Sequence, residues 1–403
     1  MNNSLNFVFL SDELETNGDG VYGRTGPLIN YLESRNLNYT LNGEIRSGFK
    51  NILPIEIPGG WAVRDIPNDV LKFVNEKDIK LLLINLPDPT TKAGHVFSLN
   101  YLKDKINFDK VIYIDTNLRL PSISTSYSRK VYWPEYSWPK VYAFNYFIEE
   151  ATWNKERFYG HENSLGYVSE PIEVHELNNF RNKKFISFNR NAARAHRFIL
   201  LDEFIKGTFS DSYFSFLRPM DYFEENKQFY KSYTGVELTD DDMVVYNQKM
   251  PIELDTHATT QKDSFDVGNT FKKDLFLDSC INLVTETSYI DNELFLSEKI
   301  LKPILSYQPF IVFGAYGYLA ELKNYGFKTF SDFWDESYDN IKDPVQRMKS
   351  LISLVKSLNN KSIEELNDIY KSTIDICIHN RNLFYSLELD TLKVIFEGIE
   401  NEW

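Results

Sequence analysis

The sequence predicts an α/β protein of two domains, each built around a parallel β-sheet. Strand and helix candidates alternate along both halves of the chain, the pattern of parallel sheets with right-handed crossovers. The strand candidates are short, continuous apolar runs of the kind that is buried on both faces of a sheet. The length of 403 residues exceeds what one hydrophobic core normally serves, so we expect two cores.

The first half alternates four predicted strands with three predicted helices. The strands are Leu5–Leu10, Ile52–Ile57, Lys80–Leu86 and Lys110–Asp115. The helices are Pro27–Arg35, Asn68–Glu76 and Phe97–Lys105. Residues 121–148 interrupt the alternation, because Pro, Trp, Tyr and Phe crowd together there with few helix signals.

The alternation resumes in the second half, after the polar stretch Glu170–Asn182. The remaining predicted elements are strands at Lys184–Phe188, Ile281–Thr285 and Phe310–Phe313, an acidic loop at Val236–Asp242, and helices at Val345–Leu358 and Ser362–Leu387. We predict a first domain of residues 1–175 and a second of residues 176–360. Residues 361–403 then form C-terminal helices that are long enough to pack back on the first domain.

Composition and charge indicate a globular protein that binds neither nucleic acid non-specifically nor a membrane. The net charge is −14, which repels polyphosphates at long range. No apolar run is long enough to span a bilayer, and the N-terminus lacks the pattern of a secretory signal. Cys280 and Cys377 are the only cysteines, so the sequence has no disulfide framework or zinc pattern. We expect a cytoplasmic protein with free thiols.

The segment between the last two predicted strands carries a candidate anion site. Ser297 is a natural helix N-cap, since its hydroxyl can accept a hydrogen bond from an N–H of the first turn. The positive end of a helix dipole beside Lys299 suits a phosphate group. The two oxygens of Glu298 suit a pair of sugar hydroxyls. These three residues predict binding of a nucleotide-sugar; a capped helix with solvated charges is the alternative.

Two stretches of the second half are similar to the donor-binding elements of the α-1,3-fucosyltransferase-like glycosyltransferases. One is TETS followed by FLSEKILKPILSYQPFIVFG, over Thr285–Ser288 and Phe295–Gly314. The other is KFISFNRNAARAHR, over Lys184–Arg197, where the family has a strand, a polar turn and an arginine that reaches the diphosphate. The resemblance covers residues 180–330. The chain departs from the family at Gln308, where a glycine is usual, and at Pro303, which is predicted to end the helix early.

The resemblance implies the glycosyltransferase B (GT-B) architecture, in which two Rossmann-like domains face a central cleft and C-terminal helices follow. It also implies a nucleotide-sugar donor, bound by the second domain. The implied donor-binding residues are Arg190, Arg194, Arg197, Glu286, Ser297, Glu298 and Lys299.

Transfer with inversion at the sugar needs a general base that takes a proton from the acceptor hydroxyl. Carboxylates that follow strands in the first half are the candidates: Asp19, Glu56, Asp88 and Asp115. We favour Asp19, which lies in the glycine-rich loop Gly18–Gly26, and Asp88 as catalytic residues. For each of the four, a helix cap or a turn residue is the alternative.

An acceptor platform is predicted from the aromatic and basic stretch Tyr127–Lys140. The indoles of Trp133 and Trp138 could stack on a sugar, and such rings also stack on unpaired bases. A packed loop is the alternative.

No metal ligand set or cofactor is predicted. Asp240–Asp242 contains an Asp-x-Asp spacing, but it does not follow a strand and is expected to be a solvated acidic turn. The histidines show no paired ligand spacing. Lys299, Arg190 and Arg197 would meet the charge of the diphosphate in place of a cation.

The sequence therefore predicts a nucleotide-sugar-dependent glycosyltransferase that moves a sugar onto a glycan hydroxyl, with inversion and without metal. Two alternatives stay open. One is a glycosyltransferase that acts on a hydroxylated base in phage DNA, which a basic groove on the first domain would favour. The other is a sugar- or nucleotide-binding module without turnover.

Overall fold

The chain divides into two compact units in the computed structural model. The first contains Met1–Trp153 and Glu388–Trp403, and the second contains Asn154–Leu387. The residues that the structure describes are 4–10, 26–85, 89–122, 124, 139–153, 172–191, 194–218, 224–250, 252, 254, 273–290 and 293–403.

A six-stranded sheet organises the first unit, and every strand pair in it is parallel. Its strands are β1 (Leu5–Val8), β2 (Asn38–Thr40), β3 (Lys50–Glu56), β4 (Ile79–Asn85), β5 (Val111–Asp115) and β6 (Lys140–Ala143). They lie in the order β2-β1-β3-β4-β5-β6. The described helices that connect or follow these strands are α1 (Gly26–Ser34), α2 (Asn68–Glu76), α3 (Lys92–Leu102) and α4 (Tyr146–Trp153).

Alternation of side chains along the strands gives this sheet two buried faces. On one face, Leu53 and Ile55 of β3 join a buried apolar cluster that includes Leu71 of α2 and Leu99 of α3. The central strand β4 is buried along nearly its whole length, as expected for a parallel strand covered on both sides.

A four-stranded parallel sheet organises the second unit. Its strands are β7 (Lys183–Asn191), β8 (Tyr213–Arg218), β9 (Ser279–Thr285) and β10 (Phe310–Phe313), in the order β10-β9-β7-β8. Its described helices are α5 (Ala195–Ile205), α6 (Glu224–Thr234), α7 (Asp240–Gln248), α8 (Lys273–Leu277), α9 (Leu301–Leu305), α10 (Tyr318–Asn324), α11 (Pro344–Asn359) and α12 (Ile363–Ser386). The two sheets begin in the same way. In the first sheet β2 and β3 lie on opposite sides of β1, and in the second sheet β8 and β9 lie on opposite sides of β7.

The last helix, α13 (Thr391–Asn401), belongs to the first unit. The ring of Phe396 meets that of Phe7 on β1 edge to face, with 5.0 Å between the centroids. Asp390, which caps α13, accepts a hydrogen bond of 2.6 Å from the hydroxyl of Tyr31 on α1. The end of the chain is therefore part of the core of the first unit.

The predicted α/β class with two Rossmann-like parallel sheets is confirmed. Helix α3 begins five residues before the prediction, because Thr91 caps it by accepting a hydrogen bond of 2.9 Å from the N–H of Gly94. The strands β2, β6 and β8 were not predicted; β2 and β6 are three and four residues long and only partly buried, so they carry little apolar signal.

The predicted acidic loop at Val236–Asp242 is wrong over its last three residues, which form the first turn of α7. Thr239 and Asp242 make a capping box, in which each side chain accepts a hydrogen bond from the backbone of the other. Carboxylates also favour the N-terminal end of a helix dipole. The acidic run is therefore a helix start rather than the solvated turn that was predicted.

The boundaries between the two units lie near residues 153 and 387, whereas the sequence predicts boundaries at 175 and 360. Helix α12 belongs to the second unit because its side chains hold the start of β7. Asn367 accepts from the N–H of Arg181 and donates to its carbonyl, both at 2.9 Å. The guanidinium of Arg181 lies 3.6 Å from the centre of the Tyr370 ring, which is the distance of a cation–π contact.

Candidate functional site

Polar and charged residues gather at one point on the edge of the second sheet. Ligands of open parallel sheets bind outside the carboxyl ends of the strands, where the strand order reverses. In this sheet the reversal lies between β7 and β9, because β8 lies on one side of β7 and β9 lies on the other. The segments that leave β7 and β9 at this point contain most of the predicted donor-binding residues.

Side chains at the beginning of α5 hydrogen-bond to the backbone at the end of β9. The Nε2 of His196 donates to the carbonyl oxygen of Glu286 over 2.8 Å, and the guanidinium of Arg197 donates to the carbonyls of Thr285 and Glu286 over 3.1 Å. Both side chains are buried. The ring of His196 also stacks on that of Tyr289, 5.0 Å away. These contacts fix the path of the chain beyond β9.

Burial determines the charge of these two side chains. It lowers the pKa of His196 well below its ordinary value, and the charge of Arg197 lowers it further. The imidazole is therefore neutral, with its proton on Nε2, where the carbonyl accepts it. Burial and the charge of Arg194 lower the pKa of Arg197 to about 10, so that its guanidinium still carries a positive charge at neutral pH.

The carboxylate of Glu286 has no exposed surface and holds the next loop in place. It accepts from the N–H of Ser297 over 3.2 Å, from the hydroxyl of Ser297 over 2.6 Å, and from the hydroxyl of Tyr318. A Cβ atom at Gly314 would lie 3.1 Å from the Tyr318 ring, so a larger residue there would have to displace that ring slightly. Glu286 thus positions other groups and does not face solvent itself.

Lys299 and Glu298 are the accessible charges beside this network. The ammonium group of Lys299 lies 2.7 Å from Glu298 and 3.3 Å from the hydroxyls of both Thr287 and Ser297. Their side chains are 26% and 18% exposed, so a ligand can reach both. Burial opposes ionisation of Glu298, but the charge and hydrogen bond of Lys299, a backbone hydrogen bond and the charge of Lys302 together outweigh it and lower the pKa of Glu298.

The helix that begins here is shorter than the phosphate prediction assumed. Ser297 caps it as predicted, with its hydroxyl accepting from the N–H of Lys299 over 3.3 Å. A 3₁₀ turn, Glu298–Ile300, runs into α9, and Pro303 lies inside α9 rather than ending the segment. Proline is tolerated in a first turn, where its missing N–H would have no partner in the helix. A helix this short has a small dipole, so side chains provide most of the positive potential.

The other predicted arginines differ in accessibility. Arg194 is exposed and directly precedes α5, as its N-cap. The backbone of Arg190 belongs to the end of β7, but its side chain lies outside the described part of the structure.

A second helix start at this edge is already occupied. The carboxylate of Asp339 accepts from the N–H groups of Leu319 and Ala320, over 2.9 and 3.1 Å, at the beginning of α10. Neither Asp339 nor Tyr318 was predicted from the sequence. Only the glycine that follows the buried strand β10 marked this region, and a partner some twenty residues downstream leaves no local pattern.

The first sheet reverses its strand order between β1 and β3, and carboxylates lie along the same edge. Asp115, at the end of β5, is buried and accepts from the N–H of Thr90 over 3.1 Å and from that of Asn117 over 2.7 Å. These bonds match its interpretation as a turn residue. Glu56, at the end of β3, is half-buried, and burial raises its pKa to about 7.

Four predicted residues lie outside the described part of the structure: Asp19, Asp88, Trp133 and Trp138. Among the described residues, no three His, Cys, Asp or Glu side chains are grouped so that they could hold a metal ion. None of the described helices is both long enough and apolar enough to cross a membrane.

Comparison with known proteins shows a distant structural likeness. No protein-family model matches the chain, and no curated protein matches it. The solved structure of OtsA in its apo form is similar over 90% of this chain and 78% of that one, with 11% identity and a TM-score of 0.37. At that score the likeness carries no argument about function, and the similarity to the fucosyltransferase-like family remains a resemblance in sequence.

Proposed function

We propose that this protein is a nucleotide-sugar-dependent glycosyltransferase of the GT-B type that moves a sugar onto a glycan hydroxyl, with inversion and without a metal ion. One observation supports this most directly. An accessible lysine, an accessible carboxylate and a buried arginine meet at the strand-order reversal of the second sheet, where such sheets bind ligands. The resemblance to the fucosyltransferase-like donor segments involves the same residues.

Each group at the site has a role in this proposal. Lys299 binds the diphosphate directly, and exposed Arg194 adds a second cation, with Arg190 as a third from the end of β7. Glu298 accepts hydrogen bonds from two sugar hydroxyls of the donor. Arg197 contributes its charge from below the surface. Glu286 and Ser297 position the loop that carries Lys299.

The chemistry follows from the charge that develops as the donor breaks apart. When the bond between the sugar and the diphosphate breaks, negative charge accumulates on the leaving oxygen. Fixed cations aimed at that oxygen stabilise the transition state without reorganisation, which is the role a divalent ion plays in other transferases. Donor binding is therefore expected to be insensitive to chelation of divalent cations.

A donor screen tests the proposal. The full chain is incubated with UDP-glucose, GDP-fucose, dTDP-glucose and CMP-N-acetylneuraminate, and stabilisation is read from Tm. A donor that stabilises the protein is then titrated by calorimetry with and without EDTA, and its turnover is followed with glycosides and with DNA that contains 5-hydroxymethylcytosine. Stabilisation without turnover would support the non-catalytic alternative. No stabilisation by any donor would contradict the proposed function.

Substitution of the donor lysine gives the sharpest single-residue prediction. Lys299→Ala removes a charge-assisted contact of about 1.5–3 kcal/mol, so donor affinity and kcat/KM should fall roughly 10- to 150-fold while Tm stays close to that of the wild type. Lys371→Ala, at an exposed position of α12, is the matched control and should change neither. Wild-type affinity and turnover in Lys299→Ala would refute the assignment of this site.

A further inference from the structure

We infer that Glu56 is the general base that takes the proton from the acceptor hydroxyl. This inference rests on the proposed function; Asp19 and Asp88 stay predictions, because both lie outside the described residues. It follows from the position of Glu56 in the first sheet, from its surroundings, and from a comparison with the other described carboxylate of that edge.

The position of Glu56 in the first sheet supports this role. Glu56 is the last residue of β3, and β3 borders the strand-order reversal of the first sheet. The last register pair between β1 and β3 joins Phe7 to Ile52, so β3 extends four residues further at its carboxyl end. Glu56 thus lies at the place where a parallel sheet binds its ligand.

The surroundings of Glu56 are suited to a base that works near neutral pH. Its neighbour in register on β4 is Ile84, which is fully buried. None of the described residues donates a hydrogen bond to its carboxylate or forms an ion pair with it. Burial alone raises the pKa of Glu56 to about 7, and a base is most effective when its pKa is close to the working pH.

Asp115 shows what a structural carboxylate looks like on the same edge. It is completely buried, and its oxygens accept hydrogen bonds from Thr90, Asn117 and the side-chain amide of Asn85. Its lone pairs are committed to the turns after β4 and β5. Glu56 is only half-buried and has no hydrogen-bond donor among the described residues, so it can accept a proton from a ligand.

In the proposed step each bond that forms is matched by one that breaks. The acceptor O–H proton passes to a carboxylate oxygen of Glu56, and the acceptor oxygen forms a new bond to the anomeric carbon of the donor. The bond between that carbon and the diphosphate oxygen breaks, and its electron pair leaves with the nucleoside diphosphate. The resulting carboxylic acid of Glu56 then returns its proton to solvent.

The test compares Glu56→Gln, Glu56→Asp and the exposed control Glu76→Gln with the wild type, using the donor found in the screen. Glu56→Gln should lower kcat roughly 10²- to 10⁴-fold and leave donor affinity within twofold of the wild type. Wild-type kcat/KM should rise with pH through about 7, as Glu56 loses its proton, and this rise should be absent in Glu56→Gln. Glu56→Asp should keep part of the activity, and Glu76→Gln all of it.

The outcomes separate this inference from the proposed function. A wild type that turns over a donor, with Glu56→Gln equally active and equally dependent on pH, would overturn only the role of Glu56. A wild type that neither binds nor turns over any donor would overturn both. Tm of Glu56→Gln at pH 8 controls for folding, and it should equal or exceed that of the wild type, because the variant removes a partly desolvated charge.

Discussion

At the scale of single residues, burial separates charged side chains that look alike in the sequence. Glu286 and Glu298 both belong to the resembling segments, but Glu286 has no exposed surface and holds Ser297, whereas Glu298 remains accessible. Arg197 and Arg194 differ in the same way. The groups that touch a ligand are therefore fewer than the motif suggests, and the others position them.

His95 provides a residue-scale test of stability against pH. It is buried against Tyr113, neither ring nitrogen has a hydrogen-bond partner among the described residues, and burial lowers its pKa to about 4. The unfolded chain therefore binds a proton between pH 6.5 and 4 that the folded chain refuses, so this residue reduces stability as the pH falls through that range. His95→Phe removes the effect, and its stability relative to the wild type should improve by about 2 kcal/mol between pH 7 and pH 5.

The measurement is denaturant unfolding of both proteins at pH 7, 6 and 5. Other buried carboxyl groups titrate in the same range, but they are common to both proteins and cancel in the difference. Val394→Ala, at an exposed position of α13, removes no titratable group and is the control, so it should show no such trend. If the difference in stability between His95→Phe and the wild type does not change with pH, burial does not keep His95 neutral in the folded protein.

At the scale of elements, the loops that follow β9 and β10 act as one unit because of a single carboxylate. Glu286 joins the end of β9 to Ser297 before α9 and to Tyr318 at the start of α10. Asp339 also binds the start of α10, by accepting a hydrogen bond from the N–H of Leu319. Burial raises the pKa of Tyr318 well above its ordinary value, so its hydroxyl stays protonated and continues to donate.

Tyr318→Phe tests this connection. It removes one donor from a buried carboxylate, which should cost about 1–3 kcal/mol of stability and weaken donor binding less than Lys299→Ala does. Tyr39→Phe removes a tyrosine bond to an exposed carboxylate, that of Glu33, and should cost no more than about 0.5 kcal/mol. Equal Tm values for the two variants would contradict the positioning role of Glu286.

At the scale of the whole molecule, the chain ends in the unit in which it begins. Helix α13 packs Phe396 against Phe7 and Tyr31, and the carboxylate of Glu149 on α4 accepts from the N–H of Thr391 over 2.9 Å. Residues 388–403 therefore contribute to the core of the first unit.

Phe396→Ala should destabilise the first unit by about 3–5 kcal/mol, the usual cost of removing a buried phenyl ring. Amide hydrogen exchange should accelerate in β1 and α1 and stay unchanged in β7 and β9. Val394→Ala on the same helix is the control, because Val394 is 66% exposed. Faster exchange in all four elements, or in none, would show that α13 is not a local part of the first core.

The sequence by itself determined the alternation of strands and helices, the two parallel sheets, and the identity of the helix cap at Ser297. These depend on apolar runs and on contacts between residues close in the chain, so they are legible without the fold. Only the tertiary structure decided which charges are buried, that Glu286 bonds to Tyr318 and not to solvent, and that α13 returns to the first unit. Such outcomes depend on partners far apart in sequence, and burial changes the pKa and accessibility of a side chain without changing its letter.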